Sequence, residues 1–139
     1  MASRERTMTL TVPSATEHLS LIREFVVNVG SQAGLGEDDV AKLELAVDEA
    51  CANVIEHVHG KEVTVRATFD TAMLRIEVMD EGEGFDPTAV PSTPVEQMVH
   101  DRRTGGLGLR VMKSLMDEVS YEIVPGERNR LRLLKRIQK

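Results

Sequence analysis

Half of the chain's ten glycines crowd into one stretch: Gly82, Gly84, Gly105, Gly106 and Gly108. Pro87, Pro91 and Pro94 fall between them. Glycine gives up the most backbone freedom in a regular element, and proline cannot donate to one, so neither helix nor strand runs unbroken through residues 80–104. A connection this long inside a compact domain is functional or mobile. It divides the chain into two periodic halves, and any fold must bring them together around it.

The first half opens with alternation over residues 7–12, a strand that Pro13 ends. Ser14-Ala-Thr-Glu17 has capping-box spacing, with Ser14 as N-cap and Glu17 reaching back. Leu19, Ile22, Val26, Val29 and Ala33 recur at steps of three and four and predict a helix that Gly34 and Gly36 break. Glu37, Asp38 and Asp39 suit the N-terminus of a second helix. Its apolar stripe is Val40, Leu43, Val47, Ala50, Val54 and Val58, and Gly60 closes it. Residues 63–69 and 74–78 alternate as two strands around a turn at 70–72. In the second half, Leu107, Val111 and Leu115 predict a third helix. Residues 119–124 and 130–134 predict two closing strands around Pro125 and Gly126. The order β-α-α-β-β-loop-α-β-β predicts one α+β domain over 1–139. Its architecture is a two-layer sandwich: a mostly antiparallel mixed sheet with helices on one face.

Composition narrows the function. Lys+Arg is 17 against 23 Asp+Glu, a formal charge of −6, the wrong sign for a general phosphate-backbone binder. Aromatic residues are 3%, too few for a base-stacking platform, so the core is aliphatic. The single Cys51 cannot pair within the chain, and its spacing on the helix makes it a small core residue. No apolar stretch resembles a signal peptide or reaches the ~18 residues of a membrane span. The expectation is a cytoplasmic protein.

Three segments carry candidate chemistry. Glu49 and Asn53 lie four apart on the second helix, flanking its apolar stripe, where they either rim a pocket or stand as an exposed helix pair. Asp80 ends a strand of buried type and is followed by Gly82 and Gly84. It could accept a hydrogen bond from an exocyclic amine while the glycines let a ligand approach, or it could cap a glycine turn. Arg103-Thr-Gly-Gly-Leu-Gly-Leu109 opens the third helix. Free N–H groups and the helix dipole make it an anion site, or the glycines are a hinge. Neither G-x-x-x-x-G-K-[ST] nor G-x-G-x-x-G occurs, which disfavours P-loop and Rossmann domains. His57 and His59 diverge on one helix and make a poor metal site. Arg128, Arg130, Arg132, Lys135, Arg136 and Lys139 read as a solvated edge strand, or as a docking face.

The ordered set E-x-x-x-N, D-x-G-x-G-F and T-G-G-x-G-L resembles the GHKL (Bergerat-fold) ATP-binding superfamily. More closely it resembles the bacterial anti-sigma factors that are also serine-protein kinases. Residues 44–57 resemble the family's N box, 80–87 its first glycine box and 103–119 its second. Ala52 and His59 stand where relatives often carry Thr and Tyr. The resemblance implies Mg²⁺ at Asn53 and a general base at Glu49. It implies adenine recognition at Asp80 with Gly82 and Gly84 close to the base. Phosphate contacts would come from Arg103, Thr104, Gly105, Gly106, Leu107, Gly108 and Leu109, beneath an ATP lid at about residues 86–104. It implies a kinase that phosphorylates a STAS-type anti-anti-sigma protein and holds a sigma factor, working as a homodimer, without direct nucleic-acid or membrane contact. The competing reading is an ATP-binding module that regulates a partner by binding alone. A histidine-kinase ATPase domain would need a dimerising helix that the few residues before the first strand cannot form.

Overall fold

A computed structural model of the chain describes residues 4–57, 60–80, 112–124 and 128–137. Strand β1 (Arg6–Pro13) is followed by a 3-10 turn (Thr16–His18) and helices α1 (Leu19–Ala33) and α2 (Glu37–His57). Then come β2 (Glu62–Phe69), β3 (Met73–Asp80), β4 (Glu118–Val124) and β5 (Arg128–Arg136). Residues 112–115 are helical, where the third predicted helix ends. The sheet order is β1-β2-β3-β5-β4, and all four pairings are antiparallel. The α+β architecture is the one expected.

Strand periodicity sorts the sheet's two faces. Val63, Val65, Ala67, Leu74, Ile76, Val78, Leu131 and Leu133 share one phase and are buried. They pack with Ile22, Val26 and Val29 of α1 and Leu43, Val47, Ala50 and Cys51 of α2 in a single aliphatic core. Both helices therefore cover one face, since an amphipathic stripe is buried only against another apolar layer. Cys51 is fully buried, as its spacing indicated, and burial pushes its thiol well above the usual range. Gly34 ends α1 at φ +93° and donates to Gly30 and Ser31 carbonyls, a left-handed cap that other residues resist. Asp70 holds the β2–β3 turn by accepting from the N–H groups of Ala72 at 2.7 Å and Met73 at 3.0 Å.

Two expectations are corrected. The Ser14–Glu17 capping box does not form. Ser14 instead donates its N–H to the Lys61 carbonyl at 2.9 Å, which ties the chain to the start of β2. The first turn tightens to 3-10, and α1 begins only at Leu19 without a side-chain cap. The basic C-terminal strand is also not an edge. β5 runs between β3 and β4. Its arginines are tolerated there because Arg130 and Arg132 turn to the open face and meet Glu77 of β3, at 3.1 and 3.8 Å. Lys135 points the other way, donating to the Leu115 carbonyl at 3.1 Å and lying 3.6 Å from Asp39 of α2. It pins the helical residues 112–115 and α2 to the same side of the sheet.

Candidate functional site

Helix α2 packs against β2 and β3, and its C-terminal half carries the first candidate pair. Glu49 and Asn53 are one turn apart, so they project from the same face. Their depths differ. Glu49 is half-buried. Asn53 is only 6% exposed, deeper than a rim position. The reason is local: Ala50, Cys51 and Val54 beside it face the core, and the short amide rides in with them.

Each of the two has an unusual environment. Partial burial raises the Glu49 carboxyl above its ordinary value, and the negative charges of Asp48 and Glu56 raise it further. Asp48 itself is held by Arg23 of α1 at 3.2 Å. No ion pair reaches Glu49 among the described residues. The Nδ2 of Asn53 is buried without a hydrogen-bond partner. An amide pole left dry costs about 1–3 kcal/mol. An asparagine turned about its last bond presents oxygen in place of nitrogen at nearly the same shape, so the site can offer either donor or acceptor. A hard cation such as Mg²⁺ takes neutral amide oxygens and keeps several of its own waters, so this residue fits it. Among the described residues, no three His, Cys, Asp or Glu side chains gather as a cation cage.

Asp80 is the last residue of β3, in the helix-facing phase with Val78 and Ile76, and is 4% exposed. Across the ladder its register partner is Asn129 of β5. The Asn129 amide donates Nδ2–H to Asp80 Oδ1 at 2.8 Å, with both side chains buried. A buried carboxylate at a strand end, in the layer between sheet and helices, can accept from a ligand's N–H donors. The structure thus buries Asn53 and Asp80 on the helix side of the sheet, with the half-buried Glu49 one turn from Asn53 on α2. Gly82, Gly84, Arg103, Thr104, Gly105, Gly106, Leu107, Gly108 and Leu109 lie outside the described residues, as do the lid at 86–104 and His59. A shallow groove of about 650 Å³ on the outer side of α1 and α2, lined by Ser20, Arg23, Glu24, Asn28 and Glu44 among others, includes none of the site candidates.

Two polar residues were not singled out in the sequence. Asn129 shares the apolar phase of Leu131 and Leu133, and a lone amide in such a phase is the signal that could have found it. Glu77 is 2% exposed on the open face, ringed by Arg66, Arg75, Arg130 and Arg132. Nothing local marks it, because three of those partners come from other strands.

The chain has relatives among known proteins. The family profile described as histidine kinase-like ATPase domain matches residues 12–135. The chain is similar to the serine-protein kinase RsbW of Bacillus subtilis, at 35% identity over 120 residues, covering 80% of this chain and 74% of that protein. It is similar to the protein of the same name from Bacillus licheniformis, at 36% over 124 residues, covering 82% and 76%. The Staphylococcus aureus counterpart is 31% identical over 135 residues, covering 91% and 85%. Among solved structures, the RsbU and RsbW domains of a Mycobacterium tuberculosis protein superpose with a TM-score of 0.69 at 16% identity. That match spans 96% of this chain and 33% of the solved one, and it supports the fold.

Proposed function

Because the chain belongs to the histidine kinase-like ATPase domain family and, within it, to the serine-protein kinases, we propose that it uses Mg-ATP to phosphorylate a serine of a STAS-type anti-anti-sigma protein and that it also binds a sigma factor. The observation that carries the reading is the pair on α2. A carboxylate that has no ion pair among the described residues, its acidity weakened by burial and like charges, stands one turn from a buried amide with an unsatisfied pole.

In this reading Glu49 accepts the proton of the serine hydroxyl as its oxygen bonds to the γ-phosphorus. The bond from that phosphorus to the bridging oxygen breaks, and ADP leaves. A carboxylate raised toward neutrality is a better base than one fully stabilised in water. Asn53 would hold the magnesium ion, which when bound supplies charge neutralisation to the phosphates. Asp80 accepts from the adenine amine and so selects ATP over GTP. Gly82 and Gly84 let the base approach. Thr104, Gly105, Gly106, Leu107, Gly108 and Leu109 offer backbone N–H groups to the phosphates, and Arg103 supplies positive charge beside them. A phosphoserine adds about −1.5 to −2 charge, enough to expel the modified partner from a packed interface and let the kinase exchange it for the sigma factor. The chain acts as a homodimer in the cytoplasm in this proposal. No helix among the described residues is long and apolar enough to cross a membrane.

Transfer of label from [γ-³²P]ATP to a purified STAS protein is the direct test. Label on serine supports the reading. Tight ATP binding with no transfer to any such protein reduces the chain to a binding module. Two substitutions probe the assignments. Asn53→Ala weakens Mg-ATP binding about tenfold or more, while the nucleotide-free melt moves little, because the deleted amide has an unsatisfied pole in the fold. A large loss of nucleotide-free stability would make Asn53 structural. Asp80→Asn lowers the preference for ATP over GTP about tenfold, read by competitive displacement. An unchanged preference removes Asp80 from the base site.

A further inference from the structure

The sheet's two edge strands are built differently. β4 ends the sheet on one side and carries Glu118 and Glu122. β1 ends it on the other, and from Thr7 to Val12 it carries no charge. Its register with β2 runs unbroken from Arg6 to Pro13, so no bulge turns this edge away. An edge strand left to water is normally blunted by charge, a bulge or a cover, because its free N–H and C=O groups template another strand. Which groups are free follows from the ladder. Ser14, one residue past β1, donates its N–H across to Lys61. Backbone groups alternate in direction along a strand, so Val12, Leu10, Met8 and Arg6 also turn theirs to β2, and Thr7, Thr9 and Thr11 turn theirs outward. Pro13 falls in the outward set, where its missing N–H breaks no bond to β2.

The helix above this edge is uncharged on the same side. α1 packs on β1 and β2, and α2 on β2 and β3, so α1 is the outer helix. One flank of α1 meets α2: Arg23 reaches Asp48 at 3.2 Å, and Gly30 lies against Val40 and Leu43. The opposite flank, on the β1 side, is the stripe Leu21, Phe25, Asn28 and Gln32 at helical spacing. Leu21 is exposed, Phe25 is half-buried, and Gln32 donates to Asn28 at 2.6 Å.

We propose that β1 pairs antiparallel with β1 of a second copy about a two-fold axis at Thr9, joining the two sheets edge to edge. The inference deepens the homodimer in the proposed function and rests on that part of it alone. The axis sets Thr9 opposite Thr9, Thr7 opposite Thr11 and Met8 opposite Leu10. Threonine then meets threonine on the open face, apolar meets apolar on the helix side, and no like charges face each other. β1 already makes the first kind of pair with β2, Thr11 to Thr64 at 2.9 Å. The outward N–H groups of the three threonines all find outward carbonyls, and no rung falls on Pro13. Neighbouring strands are ~4.8 Å apart, and each α1 sits over β1 and β2, so the two α1 helices come to roughly 10 Å, within packing range. The backbone edge alone would take a strand of any protein. The uncharged flank of α1, repeated across the axis, selects a second copy.

Sedimentation equilibrium of the full chain without nucleotide tests this. The parent is expected at the mass of two chains. The axis repeats each change, so Thr9→Pro removes two outward N–H donors per dimer while leaving the ladder to β2 intact. It is expected to raise the dissociation constant of the dimer about a hundredfold or more, about tenfold for each bond. Thr9→Lys and Thr9→Glu are a second pair of probes, decisive by themselves if the proline variant unfolds in its thermal melt. Each alone puts like charges on the axis and is expected to be monomeric, and an equimolar mixture of the two is expected to dimerise. A monomeric parent overturns the inference and the homodimer together, and leaves the edge to a strand of another protein. A dimer that neither the folded proline variant nor the charged variants weaken overturns this interface and leaves the homodimer standing. So does a mixture of the lysine and glutamate variants that stays monomeric.

Discussion

Glu49→Gln is expected to lower the rate of phosphotransfer at saturating ATP by about 10²–10⁴-fold, the usual span for removing a general base. Nucleotide affinity should change less than about threefold, since the amide keeps the shape of the carboxyl. A rate within tenfold of the parent would take the base away from Glu49. The same residue gives the reaction a pH dependence with a definite sign. Burial, then the charges of Asp48 and Glu56, raise the Glu49 carboxyl above its ordinary value of 4.5. The base is active only when deprotonated, so the acidic limb of the rate profile lies above 4.5, and activity rises with pH through it. Asp48→Asn removes one of the charges that raise it. That variant should shift the limb toward lower pH. A limb that stays fixed or moves upward contradicts the assignment of the titrating group.

Glu77→Gln is expected to cost about 2–3 kcal/mol of stability in urea unfolding. Four guanidinium groups converge on this carboxylate. Those of Arg66 and Arg130 are at 3.1 Å, Arg75 at 3.7 Å and Arg132 at 3.8 Å. Removing a buried charge from such a cluster commonly costs about 3–5 kcal/mol, because its partners are left uncompensated. Here the arginines are a quarter to two fifths exposed, so water screens part of the loss. Arg75 and Arg132 already bury an Nε without a hydrogen-bond partner, which leaves them little room to compensate. Burial by itself would raise the Glu77 carboxyl, but the Arg66 hydrogen bond and the charges of Arg66, Arg75 and Arg130 outweigh it and lower the value below 4.5. A depressed carboxylate stabilises the fold at pH above its unfolded value, and that contribution is lost as pH falls through the folded one. The parent should therefore lose its advantage over Glu77→Gln progressively below about pH 4.5. A difference under about 0.5 kcal/mol at neutral pH would show that the cluster is merely solvated charge.

Local periodicity made most of the fold legible. The strands, both long helices and the turn at Asp70 follow from spacing and from glycine and proline placement. Long-range pairing was not legible. The position of β5 between β3 and β4 is a matter of pairing between strands far apart in the chain, and the sequence carries no local mark of it. That one fact turns a supposed edge of arginines into the counterions of Glu77. The capping box failed for a similar reason: a backbone bond from Ser14 to Lys61, far along the chain, outcompetes a local cap. Glu49, Asn53 and Asp80 stood out as candidates because carboxylates and amides at fixed spacing are conspicuous beside apolar stripes. Asn129 carries only the faint mark of a lone amide in the apolar phase of β5, and its pairing with Asp80 comes from a cross-strand register that no window of sequence contains.

Calorimetric titration of the purified, folded chain with ATP in the presence of Mg²⁺ tests the central claim most directly, since every assigned role presupposes that the segments around Glu49, Asp80 and the glycine-rich helix start close on one nucleotide. A saturable heat with one ATP per chain, weakened by Asn53→Ala and by Asp80→Asn, is the predicted result. No heat from Mg-ATP, with the protein shown to be folded by its thermal melt, would contradict the account.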